Sequence, residues 1–164
     1  MAAMAGKDKV HIWEVVEAGD TAPPYTFEVT TEKIADYCRA ARYENLVYTN
    51  QPAAREAGLP GIIAPPAMVL VYAPMRLEEL LASRGFEICQ GQSSWREMPL
   101  ANVVIQFYGV LVEPGDTITS VTSVQDKSQG QGDRSITLQV TAHNQGGELV
   151  TQYQYTYRWS DSAE

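Results

Sequence analysis

Few residues in this chain have the types and spacing that chemistry needs. Histidine occurs twice, as His11 in an apolar stretch and His143 beside a turn, and both read as surface or structural residues. Cysteine also occurs twice, as Cys38 and Cys89. With so few and no Cys-x-x-Cys pair, neither a zinc site nor a disulfide framework is expected. Cys38 falls on the apolar face of a helical pattern and reads as core rather than nucleophile. Gly130 and Gly132 stand between two strand patterns, where a hairpin turn explains them better than a phosphate cradle. No G-x-S-x-G elbow occurs. Tyr153, Tyr155 and Tyr157 recur at period two, the signature of one sheet face. Arg55, Arg76, Arg84, Arg96 and Arg134 are cations available to an anionic group, and spacing alone does not rank them.

The elements that must position any site follow from the patterning. Val10–Val16 reads as a first extended segment and Tyr25–Val29 as a second. Thr30-Thr31-Glu32 supplies a hydroxyl cap and a first-turn acid. Ile34, Tyr37, Cys38 and Ala41 then fall at helical spacing, predicting a helix over 31–42. Residues 43–66 are irregular apart from a short helical piece over Gln51–Ala57; so long an overhang in a compact domain is more often functional than a plain connection. From Pro66 to Arg84 the pattern is helical again. It is apolar all round over Ala67–Ala73, hence buried, with Pro74 kinking or interrupting it. The second half is extended: Ala101–Val112, Thr117–Val124, a run with Ile136, Leu138, Val140 and Ala142 inward, and a last strand carrying Leu149, Thr151, Tyr153, Tyr155, Tyr157 and Trp159 on one face. Phe86–Met98 is a further candidate strand.

An antiparallel meander with one apolar face must cover that face, and only the segment around Ala67–Leu81 is apolar enough. The expected architecture is therefore α+β, a hot-dog fold in which the sheet wraps one long buried helix. It occupies residues 10–160 as a single domain, with short tails at 1–9 and 161–164. The 164 residues suit one domain, and the net charge of −8 disfavours nucleic-acid binding. The apolar run Ile62–Met75 contains three prolines and is too short to span a bilayer. Without an apolar leader, a soluble cytoplasmic protein is expected.

The segment from Tyr37 to Met68, YCRAARYENLVYTNQPAAREAGLPGIIAPPAM, resembles the MaoC-like hydratase/dehydratase family, in its FAS1-type or N-terminal dehydratase branch. Asn45, the Ala53-Ala54 pair, Gly58 and the stretch Ile63-Ala64-Pro65-Pro66 match that branch, as do Asn144–Val150 and Tyr157-Arg158-Trp159. The resemblance implies an activity that adds or removes water at an enoyl or 3-hydroxyacyl thioester, with no metal or redox cofactor. In active members an Asp and a His in the turn after the first helix hold and deprotonate the water. Here the resemblance places Tyr43 at the Asp position, Tyr48 at the His position, Arg42 at the Gly and Leu46 at the Pro. A phenol with an ordinary pKa near 10 is a poor substitute for imidazole at neutral pH. Glu44 is one position away and would serve only in a rebuilt turn. Pro66 lacks the N–H that a Gly there would offer, leaving the Ala67 N–H as the oxyanion donor.

Two readings follow from the resemblance. In the first, the chain is the non-catalytic half of a heteromeric enoyl-CoA hydratase or 3-hydroxyacyl dehydratase acting on a fatty or bulky, steroid-like acyl thioester. A second hot-dog subunit supplies Asp and His, while Ala64, Pro65, Pro66, Ala67 and Val71 shape the acyl tunnel. In the second, it is a homodimeric acyl-thioester binder, or an enzyme using Tyr43, Glu44, Asn45 and Tyr48 in another way. Each of these residues also has a plain explanation: Asn45 caps the turn, and the tyrosines pack.

Overall fold

In the computed structural model, residues 12–86, 98–130 and 132–160 are described. His11, Cys89, Arg96, both expected tails and the interior of the Phe86–Met98 candidate strand lie outside them. A five-stranded antiparallel sheet is built from β1 (Tyr25–Glu28), β2 (Leu100–Phe107), β3 (Thr117–Gln129), β4 (Asp133–His143) and β5 (Leu149–Ser160). The strand order is β1-β3-β4-β5-β2. The period-two residues do what alternation requires: Ile136, Leu138, Val140 and Ala142 of β4 and Tyr153 of β5 are buried on one face. Hydroxyls and amides line the other face and bond to one another, as Thr137 to Thr156 at 2.9 Å and Gln154 Nε2 to Gln139 Oε1 at 2.8 Å.

Four boundaries differ from expectation, each for a local reason. The described part of Val10–Val16 is not extended: Ile12–Val15 forms a short helix, α1, and Ile12, Val15 and Val16 are buried at helical spacing. The strand expected over Ala101–Val112 ends at Phe107, because the chain turns at Gly109, whose φ of 77° is open to glycine at little cost. Beyond the turn, residues 110–112 run beside the overhang, and the Ala64 N–H donates to the Val112 carbonyl at 2.7 Å. Thr117–Val124 continues as β3 to Gln129, past a register shift between Val124 and Asp126. In β5 an irregularity opposite Ala142/His143 brings Val150 as well as Thr151 inside and leaves Leu149 only half-buried.

The covering segment is helical, as its composition requires, and it is divided. A 3-10 turn over Pro66–Met68 leads into α4 (Val69–Tyr72), and α5 (Leu77–Ser83) follows after a break. Pro74 has no N–H to continue the ladder, and Ala73 leaves the helical region at φ −137° and ψ 64°. The sheet satisfies the backbone freed by this break. The Tyr153 hydroxyl donates to the Ala73 carbonyl at 2.7 Å, and the Arg76 N–H donates to Thr122 Oγ1 at 2.9 Å. The break also lets one segment serve two cores. Val69, Tyr72 and Ala73 join a cluster with Ile34, Cys38, Met68 and Tyr153, whereas Leu80 and Leu81 join another with α1, Val124, Ile136 and Leu138.

Candidate functional site

The overhang begins where α2 (Thr31–Ala41) ends. Thr30 caps the helix by accepting from the Lys33 N–H at 3.2 Å, as its hydroxyl leads one to expect. At the other end Arg42 adopts the left-handed conformation, φ 55°, and the Tyr43 N–H bonds to the Cys38 carbonyl at 2.8 Å. This reversal directs the chain into a 3-10 turn, Leu46–Tyr48, and then α3 (Gln51–Glu56). Asn45 and Asn50 are both caps, accepting from the Val47 N–H at 3.1 Å and the Ala53 N–H at 2.9 Å. The cap accounts for the Oδ1 of Asn45 in this structure.

The tyrosines of the turn come together. Tyr43 stacks on Tyr37 with ring centroids 6.1 Å apart, and Tyr48 meets Tyr43 edge-on at 5.9 Å. Tyr37 and Tyr48 are half-buried against the first core, and Tyr43 is 40% exposed at the outer end. Burial raises the Tyr37 phenol above its ordinary value, with the neighbouring Tyr43 and Cys38 adding to the effect, and burial alone raises the Cys38 thiol. Both shifts oppose ionisation, so neither group is primed as a base or nucleophile near neutral pH. Glu44 is exposed. Among the described residues the one histidine, His143, stands at the exposed end of β4, and no group of three His, Cys, Asp or Glu side chains is arranged to hold a metal.

The residues assigned to an acyl tunnel divide between core and surface. Ala64 and Pro65 are buried, whereas Pro66, Ala67 and Val71 are exposed. The Ala67 N–H lies in a turn of three residues and not at the head of a long α-helix, so a helix dipole adds little to it as an oxyanion donor. Ala67–Ala73 is not buried all round either: Leu70 and Val71 are 47% and 41% exposed. Two further residues carry no signal in their local pattern. Leu46 is 60% exposed in the 3-10 turn. Gln51 Oε1 accepts the Ile62 N–H at 3.1 Å and ties α3 to the Ile63–Pro66 stretch. Gly61 permits that tie, since a Cβ there would lie 2.8 Å from Gln51 Nε2.

Among the described residues β2 is an edge strand with no neighbour on its outer side. All eight of its residues are exposed. The register puts Val103, Ile105 and Phe107 on the same face as Tyr155, Tyr153 and Thr151. The Tyr108 N–H donates to the Val150 carbonyl, and the Gln106 carbonyl accepts from Thr151 Oγ1. By the alternation of antiparallel strands, the peptide groups of Val103, Ile105 and Phe107 then point away from β5. The opposite edge, β1, is four residues long and follows Pro23-Pro24, which limits pairing there.

This architecture defines a hot-dog domain whose overhang and open edge lie beside a divided central helix. The family model of the FAS1-like dehydratase domain region matches residues 17–153, and the chain belongs to that family. It is 27% identical over 127 residues to a UPF0336 protein of Mycolicibacterium paratuberculosis, covering 77% of this chain and 76% of that one. Among solved structures it is similar to the ChsH1-ChsH2 complex from Mycobacterium tuberculosis, with TM-score 0.65 and 20% identity over 87% of this chain and 90% of that one. It is also similar to the HadBC (3R-hydroxyacyl-ACP dehydratase) complex of the same organism, with TM-score 0.64 and 18% identity over 88% and 99% of the two chains. At such identities these likenesses carry the fold.

Proposed function

We propose that the chain is the non-catalytic subunit of a heteromeric hydro-lyase that hydrates an enoyl thioester or dehydrates a 3-hydroxyacyl thioester. The observation that carries the reading is the turn after α2. Where the family resemblance calls for an Asp and a His, this turn holds Tyr43 and Tyr48, stacked into an aromatic cluster with Tyr37. A water-activating pair needs a base and an acid with pKa values near the working pH. The turn from Arg42 to Tyr48 offers only the exposed carboxylate of Glu44 beside phenols.

The partner is a second hot-dog chain carrying the Asp and His. It docks on the open side of β2, where free peptide groups adjoin exposed Val103, Ile105 and Phe107. Pro66, Ala67, Leu70 and Val71 then face the partner and the acyl group, and small and apolar side chains there leave room for a bulky chain. Two of the similar solved structures are themselves complexes named for two components, which favours the heteromeric form. The described helices include none long and apolar enough to cross a membrane, and a cytoplasmic location is part of the proposal.

The test is to purify the chain alone and with its co-expressed chromosomal neighbour, assaying hydration of crotonyl-CoA and longer enoyl-CoA substrates. Activity confined to the co-purified complex is expected. Turnover by the pure chain at ordinary enzyme rates overturns the reading in favour of a homodimeric enzyme, and Tyr43→Phe and Glu44→Gln then decide whether the overhang performs the chemistry.

A further inference from the structure

The inner face of the sheet builds both cores, whereas its outer face is half-buried or exposed. Alternation assigns the outward positions, which on the central strands run from Thr119 to Ser123 in β3, Thr137 to Thr141 in β4 and Gln152 to Thr156 in β5. None of them carries a charge, and neither do the outward positions of β2 over 102–106. In a chain with 20 acidic residues against 12 basic ones this is a departure, since the surfaces of small domains ordinarily mix both signs of charge. The titratable side chains of this face stand at its ends: Glu28 and His143 at one, Asp126 and the Arg158–Asp133 pair at the other. Between them the side chains bond to one another. The Thr137 and Thr156 hydroxyls lie 2.9 Å apart, Gln154 Nε2 donates to Gln139 Oε1 at 2.8 Å, and the Tyr108 hydroxyl donates to Gln152 Oε1 at 3.2 Å. Groups held in this way lose little further rotamer freedom when another surface meets them.

We propose that this outer face is a self-association surface, on which a second copy of the chain docks sheet against sheet. Depletion of charge is the compositional mark of an interface centre. Electrostatics selects the occupant. Two copies, each of net charge −8, repel one another, and a neutral face is where they can approach with least repulsion. Amides and hydroxyls present donors and acceptors alike, so a surface made of them is complementary to itself, as a two-fold contact requires. The size of the face sets the strength. Four adjacent strands about 4.8 Å apart, each about seven residues long at about 3.3 Å per residue, make a face of roughly 450 Å². Two such faces bury on the order of 900 Å², below the roughly 1,200 Å² at which lasting complexes begin. The contact is therefore weak and concentration-dependent. It is separate from the β2 edge and does not depend on the hydro-lyase reading.

The test is sedimentation equilibrium of the full chain carrying Ile105→Lys, which opposes pairing at the β2 edge and leaves the outer face intact. Its average mass is expected to be that of a monomer at about 1 µM and to rise toward that of a dimer by about 300 µM. Added salt should tighten this association, because it screens the repulsion between two acidic copies. Gln139→Glu keeps the acceptor for Gln154 and sets one like charge in the middle of each face, so it should weaken the association at least about tenfold. Ala82→Glu adds the same charge on the exposed side of α5 and should leave the mass curve nearly unchanged. Circular dichroism checks that the variants fold. A monomer mass throughout the range, equal losses in the two acidic variants, or an association that salt weakens overturns the proposal. A dimer that persists at about 1 µM despite Ile105→Lys defeats the edge contact of the proposed function instead. Gln139→Glu still decides the outer face in that case: dissociation of the dimer supports it, and an intact dimer overturns it.

Discussion

The two ends of the sheet are built to different standards. At the end where β3 and β4 turn, the core is aliphatic and closed: Leu80, Leu81, Val124, Ile136 and Leu138 are fully enclosed, and α1 seals the side. At the overhang end the core contains Tyr72, Tyr153, Met68 and Cys38, and its margins are open, with Leu46, Leu70, Val71 and the inner face of β2 exposed. Both cores bury apolar surface, and most of the exposed apolar residues among those described lie by the second, beside the overhang. One end is closed and the other has open margins, with the seam at Pro74 allowing one helical segment to serve both.

The sharpest way to break this contrast is to delete the same side chain at each end. Leu80→Ala should destabilise the isolated chain by about 2–5 kcal/mol, since it empties a site with no exposure. Leu70→Ala, half-exposed in α4, should change stability by no more than about 0.5 kcal/mol. Urea denaturation measures both, and equal losses would show that the two ends are packed alike.

Alkali should act mainly through the overhang end. Burial raises the Tyr72 phenol to about 12, and it raises Tyr153 further in the same direction, with Tyr155 and Tyr157 adding to the effect. The folded state therefore keeps these protons where the unfolded chain, with phenols near 10, gives them up. The stability they contribute is fully present below pH 10 and is lost as the pH rises from 10 through 12. Each of the two should remove roughly 1.4 kcal/mol per pH unit above 10, which urea titrations at pH 8, 10 and 11 would register. Tyr72→Phe should flatten that dependence; an unchanged slope would mean that other groups govern alkaline unfolding.

A smaller effect is expected at the seam itself. Tyr153→Phe keeps the ring but leaves the buried Ala73 carbonyl without its donor, at a cost of about 1–3 kcal/mol. Thermal melts compare it with wild type, and a neutral result would mean that the freed carbonyl finds another partner.

How much of this was legible in the sequence follows the same division. The closed end was readable because its signals are local: Ile136 and Leu138 alternate, and Pro74 forbids a continuous helix over it. Even there, Ile12, Val15 and Val16 stand at helical spacing inside a stretch whose β-branched and aromatic composition suggests a strand, and spacing prevailed over propensity. The overhang end was readable in identity but not in arrangement. The stacking of Tyr37, Tyr43 and Tyr48 depends on the left-handed Arg42, a conformation that residue type gives no reason to expect. Leu70 and Val71 look like core in the sequence, because an apolar residue on a surface is spelled like one in the interior.

That last ambiguity yields the prediction with the smallest effect on stability and the most to say about assembly. Ile105 sits mid-strand in β2, 39% exposed, on the inner face and on an edge that carries neither charge nor proline. Such an edge is a template for pairing, and an inward lysine is among the devices by which edges are kept apart. Ile105→Lys should therefore leave the isolated chain within about 0.5 kcal/mol of wild type, since the ammonium reaches water from a half-exposed position. It should also abolish the oligomer, which native mass spectrometry or light scattering would record as a shift to the monomer mass. A loss above about 1 kcal/mol in the monomer would mean that β2 is already covered by its own chain. An intact oligomer would move the partner to another surface, and the overhang would then have to complete its site without a neighbour across β2.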